Sequence, residues 1–288
     1  MGHTQTVWVI GANSFTGKYL VPALQKSAYR VATTHVDISN AQAVEKAMLD
    51  IQPQYVINLA AISFVPDGED ESIYAVNTFG PQNILSACLK LPHSPKNIIL
   101  ASSANVYGVQ VREQMDEACF PNPVNHYGCS KWSMEQIAKT YSDRLPITIT
   151  RPFNYTGRGQ DIKFLVPKIV EHFKHKAETI KLGNIDVWRD FSDVRWIAQA
   201  YTKLLSTSNQ GLNTVNLCSG KLLSIRDIIE LLQQITGHTL KVETDSSLVR
   251  QADIKRQYGD NQKLFSLTPK LLVPVEFKET LKWMVHSR

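Results

Sequence analysis

A tyrosine and a lysine stand four residues apart in the segment YGCSK, at Tyr127 and Lys131. In a helix this spacing places both side chains on one face, where the ammonium favours the phenolate and lowers the pKa of the tyrosine toward neutral pH. A phenol tuned in this way exchanges a proton with a carbonyl or alcohol oxygen. The pair therefore predicts acid–base chemistry at an oxygen, although the same spacing also arises by chance in surface helices.

Hydroxyl and amide side chains lie upstream, in the segment ASSANVYG that follows the apolar run NIILA. Parallel α/β sheets bind ligands at the carboxyl ends of their strands, so Ser102, Ser103 and Asn105 are expected to face a ligand. An asparagine does no acid–base work near neutral pH, which leaves proton transfer to Tyr127.

A turn with two glycines follows the first apolar run, and we call it the glycine turn (residues 11–17, GANSFTG). A dinucleotide pyrophosphate needs a tight turn, a backbone that it can approach closely and a helix N-terminus with free N–H groups. Gly11 and Gly17 meet the first and last needs, and Ser14 stands where a third glycine is common. The expected cofactor contacts in the turn are Gly11, Asn13, Ser14, Phe15, Thr16 and Gly17.

The end of the second apolar run distinguishes NAD from NADP, because an acidic residue there binds the ribose 2′-hydroxyl of NAD. This run ends in ATTH (residues 32–35), which contains no acid but two hydroxyls and an imidazole that suit a 2′-phosphate. NADP(H) is therefore preferred, and NAD(H) stays open. We expect Thr33 near the phosphate, with Asp37 and Ile38 near the adenine.

The elements that position these residues alternate between strands and helices through the first half of the chain. Short apolar runs predict strands over 6–10, 29–34, 55–59, 97–101 and 147–151, and helical spacing predicts helices over 15–26, 41–51, 72–90 and 125–145. This alternation predicts an α/β fold with a doubly wound parallel sheet of Rossmann type. Residues 1–151 would form the dinucleotide-binding domain with a return segment about 191–218, and residues 152–190 and 219–288 a smaller, discontinuous α/β substrate-binding domain.

Composition excludes several other classes of protein. The 288 residues carry a net charge of +5, which suits a small anionic substrate but is too weak for nucleic-acid binding. The four cysteines lack CxxC spacing, and no stretch has the apolar length of a membrane span or signal peptide, so we expect a cytoplasmic protein with reduced thiols. His172 and His175 lack a nearby third ligand, and no metal site is predicted.

Six segments together resemble the extended short-chain dehydrogenase/reductases, in particular their nucleotide-sugar branch, along essentially the whole chain. They are GANSFTG, NLAA (residues 58–61), ASSANVYG, YGCSK, RPFNYTGRGQ and RDFSDV. The resemblance implies that Ser103, Tyr127 and Lys131 form the catalytic triad, that Lys131 also binds the nicotinamide ribose, and that Asn77 supports the site. It further implies a homodimer formed through helices near 72–90 and 125–145. The cofactor contacts that it adds are Leu59, Ala60 and Ala61.

Within that branch, RPFNYTGRGQ (residues 151–160) and GNIDVWRDFSDV (residues 183–194) look most like GDP-6-deoxy-4-keto-mannose reductases. This resemblance implies that Asn154 and Arg189 contact the nucleotide diphosphate, that Lys168 assists, and that Arg250 and Asp253 close over the nucleotide. The substrate-binding residues then expected are Ser63, Ser102, Asn105, Asn154, Lys168, Arg189, Arg250 and Asp253. Compared with relatives, the stretch after the second strand is short, which implies that a strand and a helix near the adenine are abridged.

The residue at position 105, Asn105, narrows the set of reactions that the resemblance allows. Related 4,6-dehydratases carry an acid at this position and related 3,5-epimerase-reductases a cysteine in this region, which leaves plain carbonyl reduction here. We therefore expect NADPH-dependent reduction of the C4 keto group of a nucleotide-diphosphate 4-keto-6-deoxy sugar, with a GDP-linked hexose or heptose favoured, in the synthesis of deoxysugar precursors of surface polysaccharides.

Two alternatives from other classes stay open. SSANVYG also resembles the matching stretch of NAD-retaining nucleotide-sugar 4-epimerases, and a non-catalytic nucleotide-sensing protein would share the same fold. The absence of an acid at the end of the second strand favours the reductase over the epimerase. The intact pair of Tyr127 and Lys131 favours an enzyme over a sensor.

Overall fold

The computed structural model describes residues 5–63, 71–207, 210–248 and 255–286, and all structural statements concern these residues. The strands are β1 (Thr6–Ile10), β2 (Arg30–Ala32), β3 (Tyr55–Asn58), β4 (Asn97–Ala101), β5 (Gln114–Met115), β6 (Ile147–Pro152), β7 (Asn154–Thr156), β8 (Thr179–Leu182), β9 (Trp188–Arg189), β10 (Phe191–Asp193), β11 (Leu212–Leu217), β12 (Leu223–Ser224), β13 (Lys241–Thr244) and β14 (Arg256–Gly259). The α-helices are α1 (Phe15–Lys26), α2 (Ala41–Ile51), α3 (Ser72–Tyr74), α4 (Gly80–Cys88), α5 (His126–Lys139), α6 (Leu165–Lys174), α7 (Val194–Leu205), α8 (Ile225–Thr236), α9 (Gln262–Leu267) and α10 (Phe277–Val285).

A six-stranded parallel sheet forms the centre of the fold, in the order β11-β6-β4-β3-β1-β2. Successive side chains of a strand point to opposite faces, so Val7 and Val9 pack with α1 and α7, whereas Trp8 and Ile10 pack with α2, α4 and α5. Because helices cover both faces, the strands are continuous apolar runs rather than alternating ones. The predicted doubly wound α/β fold is confirmed.

The later part of the chain builds a second hydrophobic cluster from α6, α8, α10 and the strands β8 and β13. Two small sheets adjoin it, one of β7 with β10 and one in the order β12-β9-β14-β5. Between these segments, β11 returns to the edge of the main sheet beside β6. None of the described helices is long and apolar enough to cross a membrane.

Three predicted elements differ from the observed ones. The helix predicted over 72–90 is interrupted by a π-helical turn, Ala75–Phe79, directly before Pro81, whose nitrogen has no hydrogen to donate to the preceding turn. The helix predicted over 125–145 ends at Lys139, because residues 140–145 turn back toward the start of β6. The second strand has three residues instead of six, since it lies at the edge of the sheet and residues 33–35 are exposed.

Candidate active site

The glycine turn joins β1 to α1 and lies against the end of β3. Gly11 has a φ of +82°, and a Cβ on it would lie 2.8 Å from the backbone nitrogen of Ala60. A Cβ on Gly17 would lie 2.4 Å from the carbonyl oxygen of Ala12, so neither position accepts a side chain. Ser14 occupies the N-cap of α1, where its hydroxyl accepts a hydrogen bond from the Gly17 N–H at 3.1 Å. Ser14 is therefore a helix cap.

The end of β3 is held next to this turn by side-chain and backbone hydrogen bonds. The buried Asn58 accepts a hydrogen bond from the Ala60 N–H at 3.1 Å, and the Leu59 N–H donates to the Ile10 carbonyl at 2.9 Å. Leu59 and Ala60 are half-buried and Ala61 is exposed, as is Asn13 in the turn. The narrow turn, the start of α1 and this partly open β3 end together fit a dinucleotide pyrophosphate and its ribose.

Residues 33–38 follow the edge strand β2. Thr33 and Asp37 are exposed, whereas Ile38 is buried against Gly80 of α4, where a Cβ would lie 2.5 Å from the isoleucine Cδ1. Hydrogen bonds from the Ser39 side chain and backbone lower the pKa of Asp37. Thr33 and Asp37 are thus accessible to a cofactor, whereas the Ile38 side chain packs in the core beside α4.

Tyr127 and Lys131 lie one turn apart on α5, with the lysine Nζ 6.0 Å from the centroid of the tyrosine ring. The ammonium donates to the Ala101 carbonyl at the end of β4, at 2.7 Å. Burial, together with a smaller effect of Tyr155, raises the pKa of Tyr127 to about 12, although a hydrogen bond with Ser103 acts to lower it. The expected lowering of the tyrosine pKa toward neutral pH is therefore wrong, because desolvation of the phenol is the largest influence on it.

Lys131 itself is buried, with 2% of its surface exposed. Burial lowers the pKa of its ammonium to about 8, and the nearby carboxylate of Glu135 opposes that change. The lysine is thus charged at neutral pH, but its proton is held less firmly than that of an exposed lysine.

Ser103 and Asn105 lie where β4 ends and a 3-10 turn, Ala104–Val106, begins. The Ser103 hydroxyl accepts hydrogen bonds from the backbone N–H and the side-chain Nδ2 of Asn105, each at 3.1 Å. Ser103 is 6% exposed, while Asn105 is exposed. Ser103 also makes the side-chain hydrogen bond that lowers the pKa of the Tyr127 phenol.

Ser102 belongs to a buried network beneath the site. Its hydroxyl donates to Glu135 at 2.5 Å, and Arg151 at the end of β6 donates to both oxygens of the same carboxylate, at 3.0 and 2.6 Å. The Arg151 guanidinium also lies 4.8 Å from the centroid of the Tyr107 ring. Ser102 was expected to face a substrate, but the structure places its hydroxyl on Glu135 with 3% of the residue exposed.

The π-helical turn connects α5 to the loop after β3. The fully buried Asn77 accepts a hydrogen bond from the Ile62 N–H and donates to the Ile62 carbonyl, each at 2.9 Å. It also donates to the Ser130 hydroxyl at 3.1 Å, and that hydroxyl donates to the Tyr127 carbonyl at 2.8 Å. Asn77 thus fixes the helix turn that carries the tyrosine, a support that the resemblance implies.

The residues expected to bind substrate lie around β7, β9 and α6. Asn154 is exposed on β7 and donates to the Asp190 carbonyl at 3.2 Å, Arg189 on β9 donates to the Trp188 carbonyl at 2.9 Å, and Lys168 on α6 donates to the Lys181 carbonyl at 3.0 Å. Ser63 is exposed after β3. The remaining two, Arg250 and Asp253, lie outside the described residues.

Asp190, which the sequence reasoning missed, connects three segments of this region. It is fully buried and accepts hydrogen bonds from the Ser219 N–H and hydroxyl at 2.8 and 2.7 Å, from the Gly220 N–H at 2.8 Å and from the Gly259 N–H at 3.3 Å. Burial raises the pKa of this carboxyl, and the four hydrogen bonds lower it. The position of Asp190 next to Arg189 is the signal in the sequence that points to a supporting acid.

The histidines in the described ranges show no arrangement for a metal. His172 and His175 each contact the carbonyl four residues earlier in or after α6, at 2.8 Å, and His126 contacts the Tyr74 hydroxyl at 2.9 Å. In the described part of the chain, no three or more His, Cys, Asp or Glu side chains are grouped to hold an ion.

Comparison with known proteins agrees with this geometry. The sequence profile of the NAD dependent epimerase/dehydratase family matches residues 7–218. A GDP-6-deoxy-D-talose 4-dehydrogenase of Aggregatibacter actinomycetemcomitans is 36% identical over 266 residues, which cover 91% of this chain and 90% of that protein. A GDP-6-deoxy-D-mannose reductase of Pseudomonas aeruginosa is 30% identical over 280 residues, which cover 92% of this chain and 91% of that protein.

A solved structure, that of RMD from Pseudomonas aeruginosa complexed with NADPH, has a TM-score of 0.87 to this chain at 29% identity and covers 99% of this chain and 98% of that one. The family profile spans β1 to β11, which includes every strand of the central sheet. The similarity therefore extends over the glycine turn, the candidate site and the substrate-side segments alike. The chain belongs to the NAD-dependent epimerase/dehydratase family of enzymes, the extended short-chain dehydrogenase/reductases.

Proposed function

We propose that this enzyme uses NADPH to reduce the C4 keto group of a nucleotide-diphosphate 4-keto-6-deoxy sugar, with a GDP-linked hexose or heptose as the favoured substrate. The observation that carries the proposal is the meeting of three groups at the end of β4. The Lys131 ammonium lies on the Ala101 carbonyl, and the Tyr127 phenol is hydrogen-bonded to Ser103. This arrangement suits proton transfer to a carbonyl oxygen beside a dinucleotide site.

In this proposal Tyr127 is the general acid. Its pKa of about 12 keeps the phenol protonated at neutral pH, so it can protonate an oxygen on which negative charge develops. The tyrosine O–H bond breaks as the sugar O–H bond forms, and solvent later returns a proton to the phenolate. Ser103 donates a hydrogen bond to the same sugar oxygen, and the Lys131 ammonium stabilises the phenolate through its charge. When bound, NADPH supplies the hydride.

Exposed and glycine positions of the first half would bind the cofactor. The pyrophosphate would lie on the glycine turn at Gly11, Asn13, Ser14, Phe15, Thr16 and Gly17, with Leu59, Ala60, Ala61 and Lys131 at the nicotinamide half. Thr33 would bind the 2′-phosphate, and Asp37 with Ile38 the adenine. The lack of an acidic residue among residues 33–36, directly after β2, and the NADPH in the Pseudomonas structure support NADPH over NADH.

The nucleotide sugar would lie between the end of β4 and the segments around β7, β9 and α6. Asn154, Lys168 and Arg189 would bind the diphosphate, because cationic and amide donors suit phosphate oxygens. Arg250 and Asp253 would complete the nucleotide site, with Ser63 nearer the sugar and Asn105 acting there through its hydrogen bond to Ser103. Both relatives named above act by name on GDP-linked 6-deoxy hexoses, which supports the choice of GDP.

The test is oxidation of NADPH and NADH by the purified protein with freshly prepared GDP-4-keto-6-deoxy-mannose and its dTDP and UDP counterparts. We expect NADPH oxidation with the GDP sugar and a loss of activity of about 10²–10⁴-fold in Tyr127→Phe. No oxidation with any sugar contradicts the reductase. Tightly bound NAD in the purified protein, with interconversion of C4 epimers, would establish the epimerase instead.

We also propose a homodimer formed through α4 and α5. These helices pack together on the same face of the sheet, and Phe79, at the junction of the π-helical turn with α4, exposes 54% of its surface. An exposed aromatic ring beside such a helix pair suits a partner surface. Light scattering should give twice the chain mass for the wild type and a larger monomer fraction for Phe79→Glu, and a monomeric wild type contradicts the dimer.

A further inference from the structure

The Ser103 hydroxyl receives two hydrogen bonds from a single residue. The backbone N–H and the side-chain Nδ2 of Asn105 both donate to its Oγ, each at 3.1 Å. A serine hydroxyl has two lone pairs to accept with and one O–H to donate. Because both lone pairs are in use, the Ser103 hydroxyl can only donate a hydrogen bond to any further partner.

Tyr127 is the next partner of the Ser103 hydroxyl. Because both serine lone pairs accept from Asn105, the hydroxyl has only its proton to offer to Tyr127, and this side-chain hydrogen bond lowers the pKa of the phenol. The other ionisable groups facing this phenol are Tyr155 on β7, Tyr201 on α7 and Lys131 on α5.

Asn105 is held in place by the packing of α5. A Cβ on Gly128, the residue after the tyrosine, would lie 2.8 Å from the Asn105 carbonyl oxygen. The absence of a side chain at Gly128 lets the helix approach the 3-10 turn, so the asparagine backbone has little freedom. Its side chain is exposed yet bends back onto the serine.

We propose that Asn105 is a positioning residue that fixes Ser103 as a hydrogen-bond donor, whose single O–H points to Tyr127 in the free enzyme and to the sugar oxygen that Tyr127 protonates when the substrate is bound. This proposal rests on the proposed function. It explains the residue type, because an amide donates and a carboxylate does not. An aspartate would accept the Ser103 proton and turn the hydroxyl away from the reacting oxygen. Donors to Ser103 also strengthen the hydrogen bond that it gives, because linked hydrogen bonds polarise one another.

The first test compares Asn105→Ala and Asn105→Asp in steady-state kinetics. Removal of one donor should lower kcat about 3- to 10-fold in Asn105→Ala, and redirection of the serine proton should lower it about 30- to 100-fold in Asn105→Asp. The KM for the sugar nucleotide should stay within about twofold of the wild-type value, because Asn105 acts through Ser103. Asn122→Asp, which makes the same substitution at an exposed asparagine that donates to the Val109 carbonyl at 3.4 Å, should leave kcat unchanged.

The second test measures the ionisation of Tyr127 in the absence of turnover. The ultraviolet absorbance of tyrosinate is titrated in the complex with NADP⁺, whose positive charge favours the phenolate, and the Tyr127→Phe signal is subtracted. Loss of the donor should raise the midpoint in Asn105→Ala. The result for Asn105→Ala, which adds no charge, decides the outcome. The negative charge of Asn105→Asp raises the midpoint of Tyr127 ionisation by itself.

The outcomes separate the two proposals. A raised KM with unchanged kcat and midpoint would show that Asn105 binds the sugar directly, and the positioning role would be overturned. A wild-type protein that reduces no keto sugar, but whose tyrosine midpoint still rises in Asn105→Ala, would overturn the proposed function and leave the positioning of Ser103 intact.

Discussion

The hydroxyl groups of Tyr155 and Thr16 lie 2.8 Å apart, so that a residue of β7 is hydrogen-bonded to the glycine turn. The ring of Phe15, in the same turn, stacks on the Tyr155 ring with centroids 6.1 Å apart and planes 8° apart. Tyr155 directly follows Asn154, one of the proposed substrate residues. The glycine turn and the substrate side are thus joined by two contacts of a single side chain.

We expect Tyr155→Phe to weaken cofactor binding. The substitution keeps the stacked ring but removes one hydrogen bond to Thr16, worth about 1 kcal/mol, so the KM for NADPH should rise about fivefold with a smaller change in kcat. Tyr141→Phe is the matched control, because it removes a hydroxyl in the turn after α5 that lies 2.9 Å from Ser86 of α4, away from the glycine turn. Equal values of the KM for NADPH in Tyr155→Phe and Tyr141→Phe would contradict a role of the hydrogen bond between Tyr155 and Thr16 in cofactor binding.

The buried pair of Glu135 and Arg151 should dominate stability beneath the site. Glu135→Ala leaves an arginine that is 4% exposed without its carboxylate and should lower the free energy of unfolding by about 3–5 kcal/mol. The exposed pair of Glu45 and Lys90, 2.6 Å apart, is the control, and Glu45→Ala should cost less than about 1 kcal/mol. Chemical denaturation measures both, and similar losses would contradict the role of burial.

Lys131 should make stability and activity respond oppositely to pH. Its pKa falls from 10.5 to about 8 on folding, so between these values the unfolded chain binds more protons and stability rises with pH. The full difference corresponds to about 3 kcal/mol. Activity that needs the ammonium should fall over the same range, starting near pH 8.

Lys131→Met provides the check on that prediction. The variant should lose activity by more than about 100-fold, yet unfold with a free energy about 1–2 kcal/mol higher at neutral pH, because no buried charge has to be desolvated. Its advantage in stability over the wild type should shrink and then reverse between pH 8 and 10.5, because the wild type gains about 3 kcal/mol over that range. If the difference in the free energy of unfolding between Lys131→Met and the wild type does not change with pH, the pH dependence of stability does not come from Lys131.

Asp190 should connect stability to substrate binding. Asp190→Asn replaces an acceptor of four hydrogen bonds by an amide that faces the Ser219, Gly220 and Gly259 N–H groups with one oxygen only, and should cost about 2–4 kcal/mol. Because Arg189 adjoins it, the KM for the sugar nucleotide should rise more than that for NADPH. Asp186→Asn, at a carboxylate with an exposed partner, Arg226, is the control, and equal effects of the two variants would count against the prediction.

Local patterns in the sequence predicted the strands and helices well, because each of these elements depends on residues that are close together in the sequence. The strand over 6–10, the helices over 15–26 and 41–51 and the strand over 97–101 were found with the predicted bounds. Strand, glycine turn and helix follow one another directly, so the order of residues already defines the turn. The π-helical turn was missed because a helical pattern does not reveal a local change of hydrogen-bond register.

The parts of the site that escaped prediction are contacts between distant segments. Tyr155 and Thr16 are 139 positions apart, and Glu135 and Arg151 lie in a helix and the following strand. The pKa of Tyr127 was misjudged because the spacing to Lys131 is visible in the sequence while desolvation depends on all the elements that cover the phenol. Glu135, four residues after Lys131 on the same helix face, was within reach of sequence reasoning.

The short edge strand β2 has a kinetic consequence if the enzyme acts as the proposed reductase. Residues 33–35 are exposed beside it, so the adenosine end of the proposed cofactor site lies at the open border of the sheet. A reductase consumes one cofactor molecule for each product, and the spent molecule must dissociate in every cycle, whereas an enzyme that regenerates its cofactor in place gains from a long residence time. We expect the border at β2 to favour rapid exchange, so that the ratio of NADPH to NADP⁺ in the surrounding solution sets the rate of sugar reduction.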